Sequence, residues 1–225
     1  MNGFIFSGNL KSLNSIDSLK YHSSGVFYIN GIKLNLNYKI TNATYPVLAD
    51  VNKDGRQEII FSADEGLFVI NSAGVLLENF PVNFNKKVNA GLAVADVNND
   101  GIMDIIFTTA EGDLYAYGIN GKTVNGYPIK SGSNSYSTPA LANLNDTLGI
   151  IVYGGGYLYA YKTNTRYDEN KILWKNFFKD KYLSNNNYKS LSSAITYSEK
   201  LPADKVYNWP NPVYDSKTFI RYYIN

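Results

Sequence analysis

Between residues 40 and 162 the apolar residues fall in short runs of three to five. Clusters of Gly, Asn, Asp and Ser separate them, and helical i, i+3, i+4 spacing is absent. Short β-branched and aromatic runs between turn-forming residues predict strands joined by hairpins. The runs also recur. ADVNKDGRQEIIF, starting at Ala49, aligns with ADVNNDGIMDIIF, starting at Ala95, a period of 46 residues. Downstream, EGLFVINSAGVLLENFPV (residues 65–82) aligns with GDLYAYGINGKTVNGYPI (residues 112–129). A third copy begins at PALANLN (139–145) and continues as GIIVYGGGYLYAY (149–161). A partial copy, GVFYINGIKLNLNYKI (25–40), precedes them.

Each copy reads as four strands. A small apolar strand (PVLA, LAVA, PALA) is followed by a β-branched one (EIIF, DIIF), then by LFVI or LYAY, then by a segment ending in FPV or YPI. Four strands in about 45 residues is the size of one β-propeller blade. The expected fold is therefore all-β, with about three full blades and one partial blade, as part of a larger, seven-bladed ring. A smaller closed ring is the alternative, in which residues 172–178 would pair with residues 4–6. Residues 7–24 are polar and read as a long insertion, with His22 a solvated loop residue.

Composition narrows the chemistry. Lys and Arg number 21 against 19 Asp and Glu, a net charge of +2, which argues against a nucleic-acid phosphate binder. There is no cysteine, so disulfides, thiol catalysis and zinc–thiolate sites are excluded, and a single histidine leaves little for triad chemistry. No catalytic or organic-cofactor residue is assigned, and the chain is not expected to be an enzyme. No leader or apolar run of membrane-spanning length is visible, and both ends read as cuts through a longer polypeptide.

Two loops carry the candidate chemistry. Asp50, Asn52, Asp54 and Glu58 occupy positions 1, 3, 5 and 9 of one loop; Asp96, Asn98, Asp100 and Asp104 occupy the same positions of the other. The carbonyls of Arg56 and Ile102, at position 7, can add a further oxygen. Glycine at position 6 (Gly55, Gly101) permits the left-handed turn that bends such a loop. Hard oxygen donors in a flexible ring suit Ca²⁺. An EF-hand is excluded, because position 12 is Phe61 or Phe107 and a strand follows. A metal-free N-x-D-G hairpin turn remains the alternative. Lys53 and Arg56 lie inside the first loop, so the second is expected to bind more tightly. The third copy is two residues shorter, starts at Asn143 and has Gly149 in place of the last acid, so no calcium is expected there.

Loop, strand order and period together resemble the FG-GAP or VCBS repeats, the calcium-binding propeller blades also found in integrin α chains. The resemblance implies Ca²⁺ held between the first and second strands by the ten residues named above, from Asp50 to Glu58 and from Asp96 to Asp104. Glu58 departs from the family's usual Asp. ILWKNFFKDKYLSNNN (172–187) resembles the segment that follows the last blade of secreted bacterial propellers. VYNWPNPVYDSKTFIRYYI (206–224) resembles the opening of an Ig-like or type IX secretion C-terminal sorting domain. The implied organisation is blades with a closing segment over 1–190, a linker over 191–205 and a truncated sorting domain over 206–225. The implied function is a non-catalytic module on the surface of, or secreted by, a Gram-negative bacterium, binding a protein or glycan, with association through open blade edges as a further partner mode. The alternative is an accessory domain of a larger secreted hydrolase or protease.

Overall fold

In a computed structural model of the 225-residue chain, the described residues are 40–176, without 89, 131–133 and 135–136, together with 5–7, 18–22, 26–29, 32–34, 36, 38, 207–209 and 219–221. The chain divides into two units, Met1–Asn187 and Tyr188–Asn225. Among the described residues the regular structure is antiparallel β-sheet, with one 3₁₀ turn at Glu169–Lys171 and no α-helix. Among the described residues no helix is long and apolar enough to cross a membrane.

The first unit holds four sheets. β1 (Ile5–Ser7), β2 (Ser18–His22), β3 (Val26–Ile29) and β4 (Ile32–Lys33) form a four-stranded meander. Ser18–His22 is thus a central strand, paired on one side with Ile5–Ser7 and on the other with Val26–Ile29. This corrects the expectation of a polar insertion with His22 in a loop. Serine, lysine and histidine alternate there with Leu19 and Tyr21, a period-two pattern hidden by the polar composition. The first repeat supplies β5 (Val47–Ala49), β6 (Glu58–Ala63) and β7 (Gly66–Ile70). The second supplies β8 (Ala93–Ala95), β9 (Asp104–Thr108), β10 (Asp113–Gly118) and β11 (Ile129–Lys130). The third supplies β12 (Ala140–Leu144), β13 (Thr147–Gly154) and β14 (Tyr157–Arg166). Among the described residues the second repeat has four strands and the first and third have three each. In the first, the fourth shrinks to a bridge in which Leu67 and Val82 exchange two backbone bonds of 2.9 and 3.0 Å. Pro81, just before it, has no N–H to extend the ladder.

The runs are continuously apolar because the sheets are covered on both faces. In the second repeat, Val94, Ile105, Phe107 and Tyr117 enter one core cluster with Ile59, Ile60, Phe61 and Phe68 of the first repeat. The alternate residues Ala93, Ala95, Ile106, Leu114 and Ala116 enter another with Leu141, Ile150 and Val152 of the third. Aromatic rings stack along the sheets: Phe61 on Phe68 at 5.0 Å, Phe107 on Tyr115 at 5.5 Å, and Tyr159 on Tyr161 at 6.2 Å.

One further strand, β15 (Ile172–Trp174), joins these repeats. It pairs antiparallel with β8, Ile172 opposite Ala95 and Trp174 opposite Val94. Among the described residues β1 pairs with β2 and β15 with β8, so the expected ring-closing pairing is not seen between them; residues 4, 177 and 178 of that expectation lie outside the described residues. On its other side, the Lys175 carbonyl accepts from the Leu141 N–H at 2.8 Å. Trp174 is 1% exposed and belongs to the core between the first two repeats, while Ile172 packs on the core between the second and third. In the second unit, β16 (Tyr207–Trp209) pairs antiparallel with β17 (Phe219–Arg221). The expected linker, residues 191–205, lies outside the described residues.

Trp174 is among the largest fully buried side chains, and its indole Nε1 has no hydrogen-bond partner. Trp174→Ala is expected to cost about 3–5 kcal/mol. Trp174→Phe should cost about 1 kcal/mol or less, because it keeps an aromatic ring and removes the orphaned donor. Urea unfolding of the two variants checks the difference; equal losses would contradict it.

Candidate metal centre

Both loops are built at the neck of a β-pair. Ala49 sits opposite Glu58 and Ala95 opposite Asp104, so position 9 of each loop is also the first residue of the returning strand. Position 1 follows the outgoing strand directly. This places Asp96, Asp104 and Glu58 in the buried interior at 0%, 1% and 0% exposure, while positions 3 to 5 stay exposed. Positions 4 and 6 turn left-handed in both copies: Lys53 and Gly55 at φ 62° and 86°, Asn99 and Gly101 at 61° and 84°. A Cβ on either glycine would meet nothing within 4 Å, so the backbone angle, not space, calls for glycine there.

The carboxylates hold the loop together through its own amides. In the first loop Asp50 Oδ2 accepts from Gly55 N–H (3.1 Å), Asp54 Oδ1 from Arg56 N–H (2.8 Å) and Glu58 Oε2 from Val51 N–H (3.0 Å). The second loop repeats the set. Asp96 Oδ2 accepts from Gly101 N–H (3.0 Å), Asp100 Oδ1 from Ile102 N–H (2.7 Å) and Asp104 Oδ2 from Val97 N–H (2.9 Å). Asp96 spends its second oxygen on backbone as well, Oδ1 accepting from Asp100 N–H at 3.2 Å. The other five carboxylates spend one oxygen on these amides. Asp50 Oδ1 and Asp104 Oδ1 are buried with no hydrogen-bond partner at all.

An all-oxygen donor set with an orphaned buried carboxylate oxygen in each loop fits a hard cation in its chemistry. The side chains are not drawn into a finished cage. Among the described residues no three Asp, Glu, His or Cys side chains converge at metal-binding distance. The Asn amide stands between the acids instead: Asn52 Nδ2 donates to Asp54 Oδ2 (3.2 Å) and Glu58 Oε1 (3.3 Å), and Asn98 Nδ2 to Asp100 Oδ2 (2.9 Å). An amide N–H₂ there relieves part of the repulsion that a cation would remove. Much of it persists. Burial, reinforced by the charges of Asp54 and Asp50, pushes the Glu58 carboxyl up to about 7, against the pull of the Val51 and Asn52 N–H groups. Burial likewise pushes Asp104 up to about 7, with Asp100 and Asp96 adding to it and the Val97 N–H opposing.

The lysines do not sit where their sequence neighbours place them. The Lys53 ammonium leaves its own loop and donates to the Gly101 carbonyl of the second at 2.8 Å. Lys171, 72 residues beyond Asn99, donates to that residue's side-chain Oδ1. Both cations thus approach the second loop, and Lys53, one of the two cations expected to offset the first loop, is turned to its neighbour instead. Thr165 also reaches it, donating to the Val97 carbonyl at 2.7 Å across 68 residues. Nothing in the local sequence signals Thr165 or Lys171. In the third repeat the loop is gone. Asn145 and Asp146, at φ 53° and 59°, make a two-residue turn that closes β12 directly onto β13, with Leu144 opposite Thr147.

The site and fold define an all-β repeat protein with a pair of equivalent acidic loops at strand necks. Residues 50–107 match the model of the FG-GAP-like repeat family. That span, about a quarter of the chain, opens on the first acid of the first loop and ends on the strand that follows the second. No curated protein matches the chain.

The two raised carboxyls set a pH dependence for the metal-free protein. Their ordinary values are 4.5 and 3.8, and the folded values are about 7. Between about pH 4 and 7 the folded chain therefore keeps protons that the unfolded chain has released, so stability falls as pH rises through this window. With chelator present, the unfolding free energy measured in urea should drop from pH 4.5 to pH 7.5, by on the order of 2–3 kcal/mol per carboxyl, and the urea midpoint should fall with it. A midpoint that rises over this range would show that the two carboxyls do not titrate in this way.

Proposed function

We propose that this chain is a non-catalytic, calcium-stabilised binding module, with its repeats as blades of a β-propeller and with Ca²⁺ in the first two loops. The orphaned carboxylate oxygens of Asp50 and Asp104, buried at the necks of two loops within the FG-GAP-like span, are the observation that carries the reading. Asp50, Asn52, Asp54, the Arg56 carbonyl and Glu58 would hold one ion. Asp96, Asn98, Asp100, the Ile102 carbonyl and Asp104 would hold the other. The ion supplies positive charge among buried carboxylates; the residues fix the loop and aim its oxygens. The face-to-face stacking of the three repeat sheets, each with its first strand near β15 or joined to it, supports the blade reading.

Binding of a protein or glycan is the role we assign to the loop side. Between the two loops lies a groove of about 540 Å³, with Lys53, Glu78, Asn79 and Asn120 among its lining. Export from a Gram-negative bacterium is part of the same proposal. It rests on the likeness of residues 206–224 to a sorting-domain opening; there the strands Tyr207–Trp209 and Phe219–Arg221 flank Pro210-Asn211-Pro212.

A ligand that binds only the folded state adds RT ln(1 + [L]/Kd). For a site of about 10⁻⁴ to 10⁻³ M, calcium at about 1 mM is worth roughly 0.4–1.4 kcal/mol. Thermal unfolding should shift upward with calcium and return with chelator. Asp54→Ala and Asp100→Ala should each abolish one of two binding events in calorimetric titration. A melting temperature indifferent to both calcium and chelator would sink the proposal.

A further inference from the structure

The second loop is held from outside by a segment for which the first loop has no counterpart among the described residues. Asp96, its position-1 acid, has its N–H bonded to the Lys171 carbonyl at 3.1 Å. The next residue is gripped at both ends. The Val97 N–H goes to Asp104 Oδ2 at 2.9 Å, and the Val97 carbonyl takes the buried Thr165 hydroxyl at 2.7 Å. Thr165 is itself fixed: its N–H donates to Thr163 Oγ1 at 3.1 Å, and the Thr163 hydroxyl donates to the Leu148 carbonyl of β13 at 2.9 Å. Tyr167 N–H adds a bond to the Asp146 carbonyl at 2.9 Å, and Lys175 carries the segment on to Leu141. Among the described residues no comparable bond reaches the Asp50 N–H or the Val51 carbonyl.

We propose that residues 165–175 form a strap that positions the second loop, with Thr165 as the positioning residue that sets this loop's affinity for Ca²⁺. The inference rests on the calcium reading above. Its physical basis is pre-organisation. The strap holds the Asp96 N–H and the Val97 carbonyl, on either side of the peptide that joins the two residues. Asp96 carries the position-1 carboxylate, and the Val97 N–H between those two anchors orients the position-9 carboxylate. Fixing both ends of this dipeptide before the ion arrives reduces the ordering that binding must supply. Linkage then requires the reverse effect: an ion in the second loop tightens the strap on β8 and β12 by the same factor.

The test isolates each loop. With Asp54→Ala removing the first site, Thr165→Val should weaken calorimetric calcium binding at the second loop about 5-fold, the scale of one net hydrogen bond. Thr165→Ser should restore it. With Asp100→Ala removing the second site, Thr165→Val should leave the first unchanged. A purely structural role would weaken both loops alike, and that result overturns the inference, as does unchanged affinity in the Asp54→Ala background. Absence of any calcium binding in the unsubstituted protein would instead overturn the calcium reading, and this inference with it. Hydrogen exchange provides a measurement that does not depend on the threonine variants. Calcium should slow exchange of the Asp96 and Leu141 N–H groups, both bonded to the strap. The effect should persist in Asp54→Ala and vanish in Asp100→Ala; no slowing in the unsubstituted protein would overturn the strap.

Discussion

Burial of the second repeat's sheet on both faces is the constraint from which the remaining structure follows. A sheet with one wet face can alternate apolar and polar residues. This one cannot, because Phe107 and Ile105 face the first repeat while Ile106 and Ala116 face the third. Large residues fill one interface, with stacked rings of Phe107, Tyr115 and Tyr117. Small ones, Ala93, Ala95 and Ala116, let the third sheet approach closely on the other. The acidic loops stand at the ends of the sheets, where the first strand of each of the first two repeats gives way to the second.

The same burial creates the electrostatic problem of the loops. Glu58 and Asp104 belong to strands as much as to loops, and the strand pairing drags their carboxylates out of water. Backbone amides satisfy one oxygen of each, and the Asn side chains soften the contact between neighbours. A structure that brings carboxylates this deep without a cationic side chain among them has a native state whose charge depends on what enters from solvent.

Legibility from sequence followed the range of the interactions. The strands of the repeats were readable because double burial makes each one a compact run such as EIIF or DIIF. The loops were readable because their ligand-type residues and their glycines lie within nine positions of one another. The shortening of the third copy by two residues was readable as well, and Asn145 and Asp146 make the two-residue turn that stands there. Ser18–His22 was misread because its polar residues resemble a loop until its two neighbouring strands are known. The charge balance between the loops was misread because Lys53 is adjacent to Asp54 in sequence but extends to Gly101 in space. Thr165, Lys171 and the pairing of β15 with β8 were beyond reach, since no local pattern records a contact made about 70 residues away.

The position of β15 changes how the repeats unfold. In a linear array each repeat touches its neighbours alone, and the ends can fray independently. Here a strand that comes after all three repeats lays Trp174 into the core of the first two, pairs with β8 of the second and bonds Leu141 of the third. It cannot dock until those partners are assembled, and none of them can leave without releasing it. That strand is thus a clasp shared by all three repeats, and it couples the loss of any one of them to its own release.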